Sequence, residues 1–468
     1  MFHTYMTNQA LHVVVLAAGK GSRMRSDLPK VLHHVAGKSL LGHVLDSALA
    51  LDPECIHIVI GHGKEQVRSA FAGHPSANSF SWVEQLEQLG TGHAVAQAMP
   101  AIPGSANVLM LTADVPLITA DTLAELVDNM AHHSLALLTA IVDDPHGLGR
   151  ITRDSGDAVT GIIEEKDACN QQREICEINS GIMCARGEHL RGWLEEISND
   201  NAQQEYYLTD IVGLAATSGE PIAAIQPSHN HEVAGINSRM QLAEAESIYQ
   251  YLQAQRLMEQ GVTLMDPTRV DIRGEVKIGH DTIIDINVVI EGPTTIGSNV
   301  RIAPNCVISA SRLADNVIVH PNTVIEDSEL SCGVRVGPFA RLRPGTKLGK
   351  GVKIGNFVEI KNAQFGAGSK ASHLSYVGDA SVGSNTNIGA GVITCNYDGA
   401  NKHKTIIGDD VFVGSDSQLV APVTIANGVT IGAGSTITSD VDEGQLAISR
   451  GKQRQINGWQ RPTKDKKK

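Results

Sequence analysis

Aromatic residues are scarce in this sequence, at 4% of 468 positions. A wide core packed with rings is not expected, and a thin one is. Cysteine is present without pattern. The seven residues (Cys55, Cys169, Cys176, Cys184, Cys306, Cys332 and Cys395) form no CxxC pair and no zinc-ligand spacing. Their odd number in a long chain points to reduced thiols and a cytoplasmic setting. No apolar run approaches the length of a bilayer span, so stable membrane insertion is not expected. The first residues lack the basic start and apolar core of a signal peptide. Positive charge is in deficit, with 38 Lys and Arg against 51 Asp and Glu and a net charge of −13. That argues against a nucleic-acid partner, and the basic run from Lys464 to Lys468 reads as a solvated end.

What the sequence has instead is glycine, 46 residues of it, and a repeat. Between Val270 and Ile437 an aliphatic residue recurs at every sixth position. Ile272, Ile278, Ile284, Ile290, Ile296, Ile302 and Ile308 open the series. After a slip of one residue it continues through Leu313, Val319 and Ile325. After another it runs Val336, Leu342, Leu348, Ile354 and Ile360, then breaks off until Ile407, Val413, Leu419, Ile425, Ile431 and Ile437. Helices and half-buried strands have periods of about 3.6 and 2 residues, so six belongs to neither. A hexapeptide period marks a parallel β-helix, in which each hexad supplies a short strand and a corner. Glycine follows the inward residue in Ile278-Gly279, Ile296-Gly297 and Ile431-Gly432, which predicts bends that tolerate no Cβ. A chain this long exceeds one ordinary core, so at least two domains are expected.

Residues 11–18 (LHVVVLAA) form an apolar run that predicts a buried parallel strand. It leads into Gly19-Lys20-Gly21-Ser22-Arg23-Met24. A strand followed by a Gly-rich basic loop suits a phosphate, because backbone N–H groups can come close while Lys20 and Arg23 supply charge. The spacing matches neither the GxGxxG dinucleotide fingerprint nor the GxxxxGK[ST] loop. Lys30 adds a further cation. Strands are also predicted at His57–Ile60, Val108–Leu111 and Leu135–Val142, alternating with helical stretches, which argues an α/β sheet over residues 1 to about 235. Asp114 follows one of these strands at its carboxyl end, where ligands of such sheets sit. Alone, an Asp there is as often a helix cap as a metal ligand. Residues 238–260 predict one helix linking two domains. Leu242, Ala245, Ile248, Tyr249 and Leu252 share its face, and Gly261 suits its C′ position.

LAAGKGSRM followed by Pro29-Lys30 resembles the signature of sugar-nucleotide pyrophosphorylases. The stretch from Gln85 through Glu87-Gln88-Leu89-Gly90-Thr91-Gly92-His93 is similar to the segment that holds uracil in the uridylyl members. Such a domain, a linker helix and a hexapeptide β-helix together resemble, over nearly the whole chain, one bacterial family. It is that of the bifunctional N-acetylglucosamine-1-phosphate uridylyltransferases / glucosamine-1-phosphate N-acetyltransferases. Ser369–Tyr376 with Thr394–Lys404 (TCNYDGANKHK) is the more specific part of the likeness. The implied fold is an α/β nucleotidyltransferase domain with a Rossmann-like mixed sheet at 1–237 and a linker helix at 238–261. A left-handed parallel β-helix of hexapeptide repeats follows at 262–450, then a C-terminal tail at 451–468. The implied activity begins with acetylation of glucosamine-1-phosphate by acetyl-CoA. UMP then passes from UTP to N-acetylglucosamine-1-phosphate, and pyrophosphate leaves. Mg²⁺ is the implied cofactor, a cytoplasmic homotrimer the implied form, and cell-wall biogenesis the implied setting.

The resemblance assigns roles position by position. Leu16, Ala17, Ala18 and Gly19 line the nucleotide, while Arg23 and Lys30 meet phosphates. Gln85, Gly90 and Thr91 meet uracil, whose amide-like edge needs a donor and an acceptor that Gln85 can supply. Thr112, Ala113 and Asp114 share that site. Asp114 and Asn237 hold Mg²⁺ through the hard oxygen that ion prefers. Gly149, Glu164 and Asn179 touch N-acetylglucosamine. Ala113 stands where Gly is usual, so its methyl is expected to crowd the sugar phosphate, and Ser22 replaces a common Thr. In the second domain Arg343, Lys361, Tyr376 and Asn387 match the glucosamine-phosphate site, and His373 matches the catalytic base. Ala390, Asn396, Tyr397, Ser415, Ala433 and Arg450 match the acetyl-CoA site.

These residue types suit the chemistry. Uridylyl transfer brings two anions together, so their charge must be neutralised and the line of attack fixed. Acetyl transfer needs an unprotonated amine, and a His that titrates near the operating pH can take its proton. Taken singly, His373 reads more readily as a surface His, and Arg343 and Lys361 as solvated charges. The interruption around 395–405 shifts that reading, because loops breaking a rigid scaffold commonly carry function. Cys395 reads as a small packed residue, and His57 and His62 as strand-end or loop residues. Two other uses of the β-helix stay open, an oligomerisation module and a non-catalytic scaffold, and neither would turn over acetyl-CoA.

Overall fold

The structure, a computed structural model, describes residues 9–462 and 464, so most of the basic C-terminal run lies outside the described residues. Two compact units divide between Tyr249 and Gln250.

The first unit is a mixed sheet. Its strands are β1 (Leu11–Ala17), β2 (Cys55–Ile60), β3 (Phe80–Glu84), β4 (Asn107–Thr112) and β5 (Leu135–Ile141). They are followed by β6 (Arg150–Arg153), β7 (Val159–Ile163), β8 (Glu177–Arg186) and β9 (Ile222–Ile225). The order is β9-β5-β8-β4-β1-β2-β3, with the β6–β7 ribbon attached to β8. β1 is parallel to both β2 and β4, whereas β8 runs antiparallel between β4 and β5. The apolar run that predicted β1 is explained by its place. Val13 and Val15 enter one core with Ile58 and Leu111, and Val14 enters a second core on the other side with Val59 and Met110. A strand covered on both faces has no polar alternation to show. β3 is only half-buried along its length, so it offered no such signal. Because β1 to β4 are parallel, Ala18, Gln85 and Asp114 all follow carboxyl ends on one edge of the sheet.

A 21-residue helix, Arg239–Glu259, spans the division of the chain. Ala245 packs with Val35, Leu40 and Ile236 in the first unit, and Ala254 and Leu257 belong to the core of the second. Gly261 follows it at φ 88°, the left-handed C′ conformation expected from sequence.

The second unit is the left-handed β-helix. Three parallel sheets of 11, 10 and 9 strands form its faces. Face I runs from Thr263–Leu264 to Leu446–Ala447, face II from Val270–Arg273 to Thr436–Ile437, and face III from Val276–Ile278 to Val423–Ile425. Inward residues stack coil on coil, as Ile272, Ile290, Ile308, Ile325, Leu342 and Ile360 do on face II. The repeat does not break off after Ile360. Phe365, Ala371, Val377, Val382, Ile388 and Thr394 carry it on, none more than 4% exposed. Two steps of five residues, a small Ala and a polar Thr hid the period. Every such slip falls at the corner between faces II and III, from Ile308 to Leu313, Ile325 to Leu330, Ile360 to Phe365 and Val377 to Val382. The one long excursion, between Thr394 and Ile407, leaves from that same corner.

The glycines after inward residues serve close approach rather than unusual dihedrals. A Cβ at Gly279 would stand 2.7 Å from Gly297 C, and one at Gly297 would stand 2.7 Å from Asp315 N. Gly432 is looser, its nearest neighbour being Ile448 Cγ1 at 3.0 Å. Left-handed φ at the corners is carried instead by residues such as Asn287, Asn299, Asn305, Asn316 and Asn322, whose short polar side chains tolerate it.

Candidate active sites

In the first unit the loop after β1 opens onto a cavity of about 460 Å³. Leu16, Ala17, Ala18, Gly19, Lys30, Gln85, Gly90, Thr91, Thr112 and Asp114 line it, so ten of the expected nucleotide residues converge. Gly21, at φ 59°, makes this possible, since a Cβ there would lie 2.5 Å from Lys30 Cβ. At the floor the Lys30 ammonium donates to Asp114 Oδ2 at 2.6 Å and to Asn237 Oδ1 at 3.0 Å. Asn237 is brought there by the Ile236 N–H, which donates to the Asp114 carbonyl. Two oxygens, one of them charged, thus already hold a positive group. That donor set fits a hard divalent cation.

Gln85 is buried, and its Nε2 donates to the Gly90 carbonyl and contacts His93 Nδ1, both at 3.1 Å. Its donor end is therefore used within the chain. The end left for a ligand is the Oε1 acceptor, a narrower role than the paired donor and acceptor expected from sequence. Gly90 has φ 118°, and a Cβ on it would stand 2.5 Å from the Tyr206 carbonyl oxygen. Thr91 Oγ1 accepts from Leu208 N at 3.0 Å. These contacts bind the Gly90–Thr91 turn to the 205–208 segment, which adds Glu205 to the cavity wall. Glu205 was not singled out in the sequence, since it belongs to no motif, and Gln88 stood in the uracil-like segment without a role of its own.

Gly149, Glu164 and Asn179 are gathered around β6. Asn179 N donates to the Gly149 carbonyl at 2.9 Å, and Glu164 Oε1 accepts from Thr209 Oγ1 at 3.0 Å. Burial raises the Glu164 carboxyl above its ordinary range. The Arg150 guanidinium, 2% exposed, fixes this corner through Glu165 at 2.6 Å and the carbonyl of Arg173. Arg23 is exposed on a 3-10 turn and is not among the cavity-lining residues. Ala113 is 1% exposed within the core around Val115 and Ile118. Its methyl therefore packs away from the cavity rather than crowding it.

In the second unit, Arg343 and Lys361 follow successive inward residues of face II. The next place in that ladder is Gly378. A Cβ there would come 2.6 Å from Tyr376 Cζ, so the missing side chain is what lets the Tyr376 ring cover the ladder. Arg343 is held by Glu359 at 2.8 Å. Asn396 Nδ2 reaches the Tyr376 hydroxyl at 3.5 Å and Asp379 Oδ2 at 2.5 Å. Asn387 lies on face I, apart from the other three glucosamine-phosphate candidates.

His373 ends a face I strand, in register with Asn356 one coil earlier. Its Nδ1 donates to Asn356 Oδ1 at 2.6 Å, the role an amide oxygen can take, which leaves Nε2 with the lone pair. One corner then continues through Ala390, Ser415 and Ala433, linked by Asp416 N to the Ala390 carbonyl and Gly434 N to the Ser415 carbonyl. Arg450 Nη1 closes the column on the Ala433 carbonyl at 2.6 Å. Tyr397 is 61% exposed on the excursion. Of the acetyl-CoA candidates, three share the His373 edge with Arg450 closing it, while Asn396 sits with the sugar-phosphate group.

The MobA-like NTP transferase domain model matches residues 13–197, and the bacterial transferase hexapeptide model matches residues 275–310 and 404–439. The bifunctional protein GlmU of Marinobacter nauticus is 56% identical over 97% of this chain and 99% of its own length. That of Stutzerimonas stutzeri is 55% identical over 97% and 100%. The chain belongs to the GlmU family. Among solved structures, a putative glucose-1-phosphate thymidylyltransferase from Bacillus anthracis aligns with 51% of the chain and 95% of its own, at 17% identity and TM-score 0.41. A UDP-glucose pyrophosphorylase aligns with 52% and 98%, at 18% identity and TM-score 0.43. This member of the GlmU family is thus a bifunctional transferase, a uridylyltransferase domain followed by a hexapeptide acetyltransferase domain.

Three neighbours of the candidate acetyl site were given no role in the sequence. Asn356 could have been found by stepping one coil back from His373. Lys402 and Asp379 meet only because the excursion folds back over face II. Lys402 is pushed below its ordinary value by the adjacent Lys361 ammonium.

Proposed function

We propose that this chain makes UDP-N-acetylglucosamine in two steps, acetylating glucosamine-1-phosphate with acetyl-CoA and then joining the product to UMP from UTP. The observation that carries the reading is the separation of two residue sets, the cavity around Lys30 and Asp114 and the ladder and edge around Tyr376 and His373, in two units with their own cores.

In the uridylyl step Asp114 and Asn237 would hold Mg²⁺, which when bound neutralises phosphate charge. Lys30 serves the phosphates, backbone N–H groups of the Gly19–Gly21 loop face them, and the Gln85 acceptor meets the uracil N–H. Gly149, Glu164 and Asn179 hold the sugar. The phosphate oxygen of N-acetylglucosamine-1-phosphate attacks the α-phosphorus of UTP, and pyrophosphate leaves. In the acetyl step Arg343, Lys361 and Tyr376 hold the phosphate of glucosamine-1-phosphate. The free amine attacks the thioester carbonyl, His373 Nε2 takes the amine proton, and the CoA thiolate departs. The edge formed by Ala390, Ser415, Ala433 and Arg450 carries the acetyl-CoA.

The same reading includes a homotrimer. Asn387 on face I and Lys361 on face II would complete one site only if a neighbouring chain brings the other face. Phe339 and Phe357, stacked at 5.3 Å and about half exposed, add apolar surface suited to such a contact. Seven unpaired thiols favour a cytoplasmic setting. The test is one reaction mixture of glucosamine-1-phosphate, acetyl-CoA and UTP with Mg²⁺. Free CoA, N-acetylglucosamine-1-phosphate and UDP-N-acetylglucosamine should form in that dependence. Product formation without acetyl-CoA consumption would remove the acetyl assignment.

A further inference from the structure

Asp379 belongs to none of the residue sets above, yet its side chain reaches two of their members, Lys361 and Asn396, and Asn362 beside them. It sits at the corner after Tyr376–Gly378, at φ 49°, with 13% of its side chain exposed. Oδ1 accepts from Asn362 Nδ2 at 2.7 Å, and Oδ2 accepts from Asn396 Nδ2 at 2.5 Å. Lys361 Nζ stands 3.8 Å from Oδ2. Its backbone carbonyl accepts from Thr405 N, where the excursion rejoins the coil. Burial alone would raise this carboxyl; the two amide hydrogen bonds with Lys361 and Lys402 nearby outweigh it and hold it below its usual value. Beside it opens a hollow of about 300 Å³, lined in part by Asn362, Lys402 and His403.

Lys361 and Lys402 arrive from different segments and carry like charge. Two ammonium groups at close range repel, and long flexible side chains separate unless something holds them. A carboxylate beside them, 3.8 Å from Lys361 Nζ and lining one hollow with Lys402, supplies that hold. We infer that Asp379 is a positioning residue for acetyl transfer: its carboxylate keeps Lys361 and Lys402 side by side, and Asn396 against Tyr376, so that the cations meet the phosphate of the incoming amino sugar as a preformed pair. The inference rests on the assignment of glucosamine-1-phosphate to the Arg343–Lys361–Tyr376 ladder.

The backbone there tolerates Asn and Gly, so Asp379→Asn and Asp379→Gly remove the charge without demanding a new turn. In the full-length protein both should raise KM for glucosamine-1-phosphate about tenfold while kcat falls less, since ordering of a bound group is what is lost. Uridylyl transfer should not change. In a Lys402→Ala background, Asp379→Asn should add less than a twofold effect, because contacting residues that act through one another are not additive. A merely structural Asp379 would cost the same in both backgrounds, and that result overturns the inference. So does an unchanged or lowered KM in either Asp379 variant. Arg343→Ala separates the two levels. If it raises this KM and Asp379→Asn does not, only the role of Asp379 falls; if Arg343→Ala leaves KM unaltered, the site assignment falls and the inference with it.

Discussion

Lys30 Nζ stands 2.6 Å from Asp114 Oδ2, with Asn237 Oδ1 completing the contact at 3.0 Å. A cation of the chain itself holds the place between two oxygens assigned to the metal. Charge-assisted hydrogen bonds of this kind contribute about 1.5–3 kcal/mol. Lys30→Met should therefore tighten Mn²⁺ binding in the absence of nucleotide by roughly tenfold, read by electron paramagnetic resonance. The same variant should slow uridylyl transfer, because a phosphate partner is gone. Unchanged or weaker Mn²⁺ binding would show that Lys30 and the metal do not compete, and Asp114→Asn should abolish the binding in either background.

Gly378 serves the site by what it lacks. The Tyr376 ring lies over it, and a Cβ would come 2.6 Å from Cζ. Gly378→Ala should displace the phenol and lower acetyl transfer by roughly ten- to a hundredfold, as small misplacements near a reacting centre do. Uridylyl transfer is the internal control. Full acetyl activity in Gly378→Ala would mean that the ring position is irrelevant.

Asn356 presents a neutral oxygen to His373 Nδ1. Asn356→Asp puts a carboxylate in its place, which favours the protonated imidazole. The acid limb of acetyl transfer should then move to higher pH, with activity recovering on the alkaline side. A profile superimposable on that of the unmodified protein would argue that the amide does not orient the base.

His12 and His57 form a buried pair on β1 and β2, ring nitrogens 3.1 Å apart, with Glu54 3.9 Å from the far side of His12. Burial, then the neighbouring His12, lowers His57 from 6.5 to about 4. A depressed folded-state value means stability fully present above the ordinary His range and lost as pH falls toward 4. Between pH 7 and 5 the first unit should lose about 2 kcal/mol from His57 alone. Urea unfolding followed by tryptophan fluorescence checks this, and His57→Gln should flatten the dependence. An equal loss in that variant would place the acid sensitivity elsewhere.

The β-helix was legible because one inward aliphatic residue per hexad is a period no other structure has. It became illegible where the chain shortened a corner by one residue or placed Ala371 and Thr394 inward. β1, β2, β4 and β5 were readable as apolar runs, while half-buried β3 was not. In the sites, residues on motif segments, from Leu16 to Lys30 and from His373 to Tyr376, stood out. Asn356 and Asp379 did not, because coil register brings them in and leaves no local pattern; Lys402 lies on the quoted 394–404 segment but carried no role, since only the fold of the excursion brings it beside Lys361.

The central claim, two chemistries in two units, is tested most directly through His373. Both activities of His373→Ala should be measured in the same preparation. Acetyl transfer should fall by about 10²–10⁴, with uridylyl transfer from N-acetylglucosamine-1-phosphate and UTP unchanged. Acetyl transfer within a few-fold of the unmodified protein, or a parallel loss of both activities in a folded variant, would contradict the account.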